Sequence, residues 1–211
     1  MVEPSLALAL FSTPVVAFDL PEMDDVNHAL AAELLAEERA APSWQRANVG
    51  GWHSVPDLSR RAEPHTRALM RAIVDHVARH VAALAADAGA EQLPAFRYGV
   101  TAWAMILRRG DYVVPHDHGD AHWSVAYYVD AGDDLPAPSG HLAFLDPRRG
   151  GRPIPELTLF PSTFDLAPRT GALVIFPAWL VHYVHAYRGD RPRICISANL
   201  TMEAAAPAGR P

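Results

Sequence analysis

With 211 residues, half of them hydrophobic and a fifth charged, the chain is long enough for one domain with a sizeable core. Its 18 basic and 24 acidic residues leave a net charge of −6, which argues against a nucleic-acid surface, since that needs clustered Lys and Arg. The single cysteine, Cys195, excludes an internal disulfide framework and suits a reducing cytoplasm, and no apolar run is long enough for a membrane span.

The opening stretch, Met1 to Phe18, is apolar but carries Glu3, Pro4 and Pro14 and lacks a basic leader. It reads as a first strand near Val15–Phe18 rather than a signal peptide. From Pro21, the residues Val26, Leu30, Leu34 and Leu35 recur at helical spacing, and this helix should fade near Ala41-Pro42. Ser43 to Arg61 is an irregular segment with Trp44, Gly50-Gly51, Trp52 and His53, read as a loop whose Trp44, Trp52 and His53 either contact a substrate or, the preferred reading, pack the helices onto the barrel. A second helix is expected over Pro64–Asp87, with Leu69, Ile73, Val77, Val81 and Leu84 as one apolar stripe. His76 and His80 have the i, i+4 spacing of helical zinc ligands, but no Glu follows His76, so the pair is expected to face solvent.

After Gly89 the pattern turns to β. Phe96–Leu107 is a long strand candidate, Arg109-Gly110-Asp111 a turn, and Tyr112–Pro115 a strand leading into a histidine cluster. Further strands are expected at Ser124–Val129, His141–Leu145, Phe160–Leu166, Ala172–Phe176, His182–Ala186 and Arg193–Leu200, and the tail 204–211 is expected to be disordered. Helices in the first ninety residues and short strands thereafter describe a mainly β fold: one domain over 1–203, a helical buttress (1–90) on an antiparallel double-sheet barrel (91–203). Ser43–Arg61 and Asp130–Gly140 are candidate lids around such a scaffold.

The chemistry concentrates in Pro115-His116-Asp117-His118-Gly119-Asp120-Ala121-His122. In an extended segment alternate side chains share a face, so His116 and His118 point the same way and form a pincer for a divalent metal. His182 is the best third grip, arriving from near the other end of the β region. Arg193, Cys195, Ser197 and Asn199 share one face of the last strand. A guanidinium facing inward there needs an anionic partner, such as a carboxylate-bearing cosubstrate.

Taken together, these segments resemble the 2-oxoglutarate/Fe(II)-dependent oxygenases, in particular a subgroup with a His-x-His…His pattern. The resemblance rests on Leu10–Val15, Asn48–Ser54, His116-Asp117-His118, Ser124–Val129, Gly140–Arg148, Phe176–Val184 and Arg193–Asn199, in that order. It implies a double-stranded β-helix (jelly roll, cupin-like) with N-terminal helices packed on one sheet. It further implies Fe(II), 2-oxoglutarate as cosubstrate and O2, with succinate and CO2 formed as an unidentified small-molecule or peptide substrate is hydroxylated. His116 would be the first metal ligand and His182 the distal one, and Arg193 would clamp the far carboxylate of 2-oxoglutarate. Ser197, Tyr127, Tyr128 and Trp103 would line that pocket.

The wider superfamily places a carboxylate two residues after the first His, where this chain has His118. The subgroup pattern favours a neutral triad of His116, His118 and His182, which suits an anionic chelator. Asp120 is the reserve ligand, in a His118-Gly119-Asp120 pair, with His122 and His185 further out. The residues alone also admit a cupin-like three-histidine enzyme that does not use 2-oxoglutarate, or a non-catalytic metal- or ligand-binding barrel. No nucleic-acid or membrane partner is expected, and a homodimer is compatible with the sequence.

Overall fold

The computed structural model describes residues 11–90, 92–148 and 161–205. Residues 1–10, Phe160 and the tail beyond Ala205, all named above, lie outside the described residues.

The chain begins with β1 (Val16–Asp19), a 3-10 turn at Pro21–Met23, and helix α1 (Asp24–Ala40). Two short strands follow, β2 (Asn48–Val49) and β3 (Trp52–His53), and then helix α2 (Pro64–Asp87). The β region comprises β4 (Phe96–Leu107), β5 (Tyr112–His116), β6 (Trp123–Asp130), β7 (Leu142–Leu145) and β8 (Thr163–Leu166). It ends with β9 (Ala172–Pro177), β10 (His182–Val184) and β11 (Arg193–Ala204).

The strands form two antiparallel sheets, a large one ordered β1-β9-β6-β11-β4-β3 and a small one ordered β2-β5-β10-β7-β8. This is the double-sheet jelly roll, with the helices on the outer face of the large sheet. Its spine is the β4–β11 pair, in register from Arg193 opposite Leu107 to Ala204 opposite Phe96. The strand therefore runs to Ala204, and the Ala205 N–H donates to the Ala95 carbonyl at 2.7 Å, so the start of the expected tail is ordered.

Period-two alternation gives the large sheet two different faces. Toward the helices, Ile194, Ile196, Ala198 and Leu200 of β11 and Ala102, Ala104 and Ile106 of β4 are fully buried with Leu30, Leu34, Leu69, Ile73 and Val77. Each buried leucine or isoleucine there contributes on the order of 2–5 kcal/mol, judged by what truncation to Ala costs. A polar link joins the same layers: the Tyr127 hydroxyl donates to Asn27 Oδ1 at 2.8 Å, fastening β6 to α1.

Two expectations change. His76 and His80 do not form a solvent-facing pair: both are half-buried, His76 edge-on to Phe18 at 5.0 Å and His80 edge-on to Trp123 at 5.1 Å. They lie on the side of α2 that meets the sheet, where a ring fills space between helix and strand. The segment from Ser43 to Arg61 is also more than a covering loop, because β2 joins the small sheet beside β5 while β3 joins the large sheet beside β4. Gly50 makes that crossing (φ 70°): a Cβ there would collide with the Asp111 carboxylate. Trp52 is buried and its indole N–H donates to the Ala41 carbonyl at 3.0 Å, which is the packing role expected for it.

Candidate metal and cosubstrate site

The inner face of the large sheet and the small sheet enclose a cavity of about 540 Å³. Its floor is built of cross-strand rows: Tyr128, Cys195 and Met105; then Ala126, Ser197 and Trp103; then Ser124, Asn199 and Thr101. Beyond the first row, at the sealed end, lies Arg193.

Three imidazoles meet over this floor. His116 ends β5 and His182 opens β10, and the two are direct cross-strand partners in the small sheet. His118 lies two residues past His116 and is held by its backbone N–H donating to the Ala178 carbonyl at 2.8 Å. One ring nitrogen from each residue lies within 4.8 Å of the other two, a grouping that can receive a metal ion. The His116 Nδ1 lies 2.8 Å from the Val114 carbonyl and the His182 Nδ1 lies 2.9 Å from the Leu180 carbonyl. A carbonyl only accepts, so each Nδ1 carries the proton and each Nε2 keeps its lone pair for a metal.

Electrostatics favour the same state. Burial pushes His182 down to about 3, helped by the neighbouring His116, and pushes His118 down to about 4 with His116 again the second cause. Burial lowers His116 as well. All three are therefore neutral donors at pH 7.

The other acidic and histidine candidates fall outside this grouping. Asp120 lines the cavity but is not one of the three clustered donors. His122 accepts from the Met202 N–H through Nδ1 at 3.1 Å, and His185 pairs with Asp165 at 3.1 Å.

Arg193 is 1% exposed, its guanidinium lies 4.9 Å over the Tyr128 ring, and it has no ion pair among the described residues. Its Nε is buried without a hydrogen-bond partner. Such an unpaired buried cation is costly, and an anion in the cavity removes the cost. Gly140 (φ 67°) makes room for it: a Cβ there would lie 3.2 Å from the Arg193 Cδ. The Asp130–Gly140 turn is tied down beside it, through the Asp133 N–H to the Tyr187 hydroxyl (2.8 Å) and the Arg188 N–H to the Ser139 hydroxyl (3.0 Å).

Of the expected cosubstrate residues, Arg193, Ser197 and Trp103 line the cavity and Tyr127 does not. Tyr127 points into the helix-packed core, because strand alternation gives the cavity to Tyr128. His53, read as packing, both packs and lines the cavity, stacked on Trp103 at 5.7 Å. Met105, Thr101 and Arg46 were not singled out. The first two are legible from β4 by stepping two residues either way from Trp103; Arg46 depends on how β2 docks.

The class defined by this fold and site is a jelly-roll protein with a three-histidine donor set facing a buried, unpaired arginine. Residues 101–199, which include all three histidines and Arg193, match the family model described as "Putative 2OG-Fe(II) oxygenase". Over that span the chain is similar to the 2-oxoglutarate/Fe(II)-dependent oxygenases. No curated protein matches by sequence.

Among solved structures, a Pseudomonas putida prolyl-4-hydroxylase is 18% identical, with 91% of this chain and 94% of that chain covered and a TM-score of 0.57. AviO1 from Streptomyces viridochromogenes Tue57 is 16% identical, with 93% of each chain covered and a TM-score of 0.61. HygX from Streptomyces hygroscopicus, solved with nickel and 2-oxoglutarate bound, is 12% identical, with 90% and 83% covered and a TM-score of 0.59. At these identities the likeness is one of fold. No helix among the described residues is long and apolar enough to cross a membrane.

Proposed function

We propose that the protein is a 2-oxoglutarate-dependent dioxygenase that hydroxylates a small substrate, with His116, His118 and His182 holding Fe(II). The observation that carries this reading is the pairing of a neutral three-histidine donor set with the unpaired buried Arg193 on one cavity floor. When bound, iron with 2-oxoglutarate and O2 supplies oxidative decarboxylation to succinate and CO2 together with insertion of an oxygen atom into a substrate C–H bond.

The chain's own contribution is binding and exclusion. One ring nitrogen from each of the three histidines would hold the metal and leave it able to take small ligands. Arg193 receives the far carboxylate of the cosubstrate, with Tyr128 as the wall under its guanidinium and Ser197 and Trp103 along the chain between. A triad without a carboxylate leaves the metal its full charge, which strengthens chelation by an anionic keto acid. Ala126, Phe176 and Leu142 keep water from the enclosed end.

The test is an anaerobic titration of Fe(II) and 2-oxoglutarate. A visible charge-transfer band is expected in the wild type and none in His182→Ala. Metal-replete wild type without a band sinks the cosubstrate assignment, as does 2-oxoglutarate affinity unchanged in Arg193→Gln.

A further inference from the structure

We infer that the substrate taken at the open end of the cavity is a small zwitterion of the free amino-acid class, its carboxylate received by Arg46 and its ammonium by Asp120. This inference rests on the reading above, because it assigns Arg193 to the cosubstrate and asks what the remaining charges are for.

The fixed charges lining the cavity are Arg193, Arg46, Asp117 and Asp120. Arg193 is sealed at the far end, and the other three are exposed and so lie at the mouth. His53, which also lines the cavity, is pushed toward the neutral form by burial and by the nearby Arg46 charge, against the opposing pull of the Ser54 carbonyl 2.6 Å from its Nδ1. The mouth therefore holds one cation and two carboxylates.

These charges do not neutralise one another. Neither Arg46, Asp117 nor Asp120 takes part in an ion pair among the described residues, although ten such pairs occur elsewhere, Arg61 with Glu37 and Arg108 with Glu38 among them. Asp117 is partly occupied locally, accepting the Gly119 N–H at 3.1 Å. Asp120 has no such bond, and it sits in a turn closed by the Ala121 N–H on the His118 carbonyl at 2.9 Å.

Both groups are held in place. The Arg46 guanidinium lies 5.2 Å over the Trp44 ring, and its backbone N–H donates to Asn48 Oδ1 at 2.9 Å. The neighbouring Ala47 carbonyl takes the Val114 N–H at 3.0 Å, which fixes this segment along β5 just ahead of His116. Asp120 is anchored on the His118 side, because the His118 and Ala178 amides lace that turn to the end of β9. A donor for carboxylates thus belongs to the segment paired with β5, which ends at His116, and an acceptor for ammonium lies two residues past His118, and both line the one cavity.

The floor at this end is polar as well. The Ser124 hydroxyl donates to Asn199 Oδ1 at 2.8 Å, and Thr101 completes the row. The Thr101 hydroxyl and the Asn199 amide still have hydrogen-bonding capacity to offer, which suits a polar ligand better than a hydrocarbon.

The test is saturation-transfer NMR on the protein with Ni(II) and 2-oxoglutarate, using the free amino acids, their methyl esters and their N-acetyl derivatives as probes. At least one free amino acid is expected to bind, with its ester and its N-acetyl form each about tenfold weaker, the loss of one charge-assisted contact. Arg46→Gln should erase the preference over the ester and keep that over the N-acetyl form; Asp120→Asn should do the reverse, with Ni(II) affinity unchanged. Absence of amino-acid binding, equal binding of the blocked forms, or preferences that survive both substitutions overturns the inference. The 2-oxoglutarate signal in the same tube separates the two claims. If it is present while amino acids fail, only the zwitterion is lost; if it is absent, the cosubstrate assignment fails, and the amino-acid signals still decide the zwitterion.

Discussion

His116 and His182 are paired in register across β5 and β10, with their ring centroids 4.3 Å apart, so two of the three donors are placed by strand pairing rather than by a loop. The third ring, His118, is 4.9 Å from one and 5.2 Å from the other, and sits edge-on to Trp103 at 5.6 Å.

Metal affinity should follow that geometry. His118→Ala and His182→Ala are expected to lose more than the roughly 10–100-fold that removing an outer partner costs, whereas Asp120→Ala should leave affinity within a few-fold. Calorimetric titration with Ni(II) reads this out. Loss of binding in Asp120→Ala with retention in His118→Ala would reverse the choice of ligand.

Acid should destabilise the metal-free protein through these histidines. Their folded values, about 3 for His182 and about 4 for His118, lie below the unfolded value of 6.5, so the unfolded chain binds more protons between those limits. Stability from this source is fully present above pH 6.5 and declines as pH falls through 6.5 toward 4 and 3. Denaturant midpoints against pH should show the slope in wild type and a weaker one in His182→Phe.

Arg193 separates stability from function. Replacing a buried, unpaired cation by an apolar side chain of similar length is expected to hold or raise the melting temperature of the ligand-free protein. The same Arg193→Met change should abolish the rise in melting temperature that 2-oxoglutarate gives the wild type. A large drop in the ligand-free melting temperature would mean the guanidinium has a structural partner.

The adjacent tyrosines should behave oppositely. Tyr127→Phe removes the bond to Asn27, whose Nδ2 is already unpartnered, and should cost about 1 kcal/mol of stability with 2-oxoglutarate affinity unchanged. Tyr128→Phe removes a hydroxyl with no hydrogen-bond partner among the described residues, so stability should hold while cosubstrate affinity moves. Urea midpoints and cosubstrate titrations on the two variants distinguish them.

Those tyrosines also show where sequence reading stops. Periodicity alone located α2 at Pro64–Asp87 and β4 at Phe96–Leu107, because both are long and carry many repeats of their pattern. It also grouped Arg193, Cys195, Ser197 and Asn199, since alternation within one strand is local. Choosing between Tyr127 and Tyr128 was different, because every residue from Ser124 to Val129 is buried and the run has no polar face to mark its inside. The fate of His76 and His80 likewise turned on which way α2 presses against the sheet. Arg46 reaches the cavity only because β2 and β3 divide themselves between two sheets, a tertiary choice with no periodic trace.

β11 leaves little tolerance for change in length. Its alternate residues serve two unrelated purposes, one set filling the hydrophobic layer beneath the helices and the other lining the reaction chamber. A single-residue insertion or deletion before Ile194 would exchange the sets, driving Ser197 and Asn199 under the helices and Ile196 and Ala198 into the chamber. Selection for catalysis and selection for folding would therefore act on the same phase of the same strand, while diversification toward new substrates would concentrate in the segments around Arg46 and Asp120.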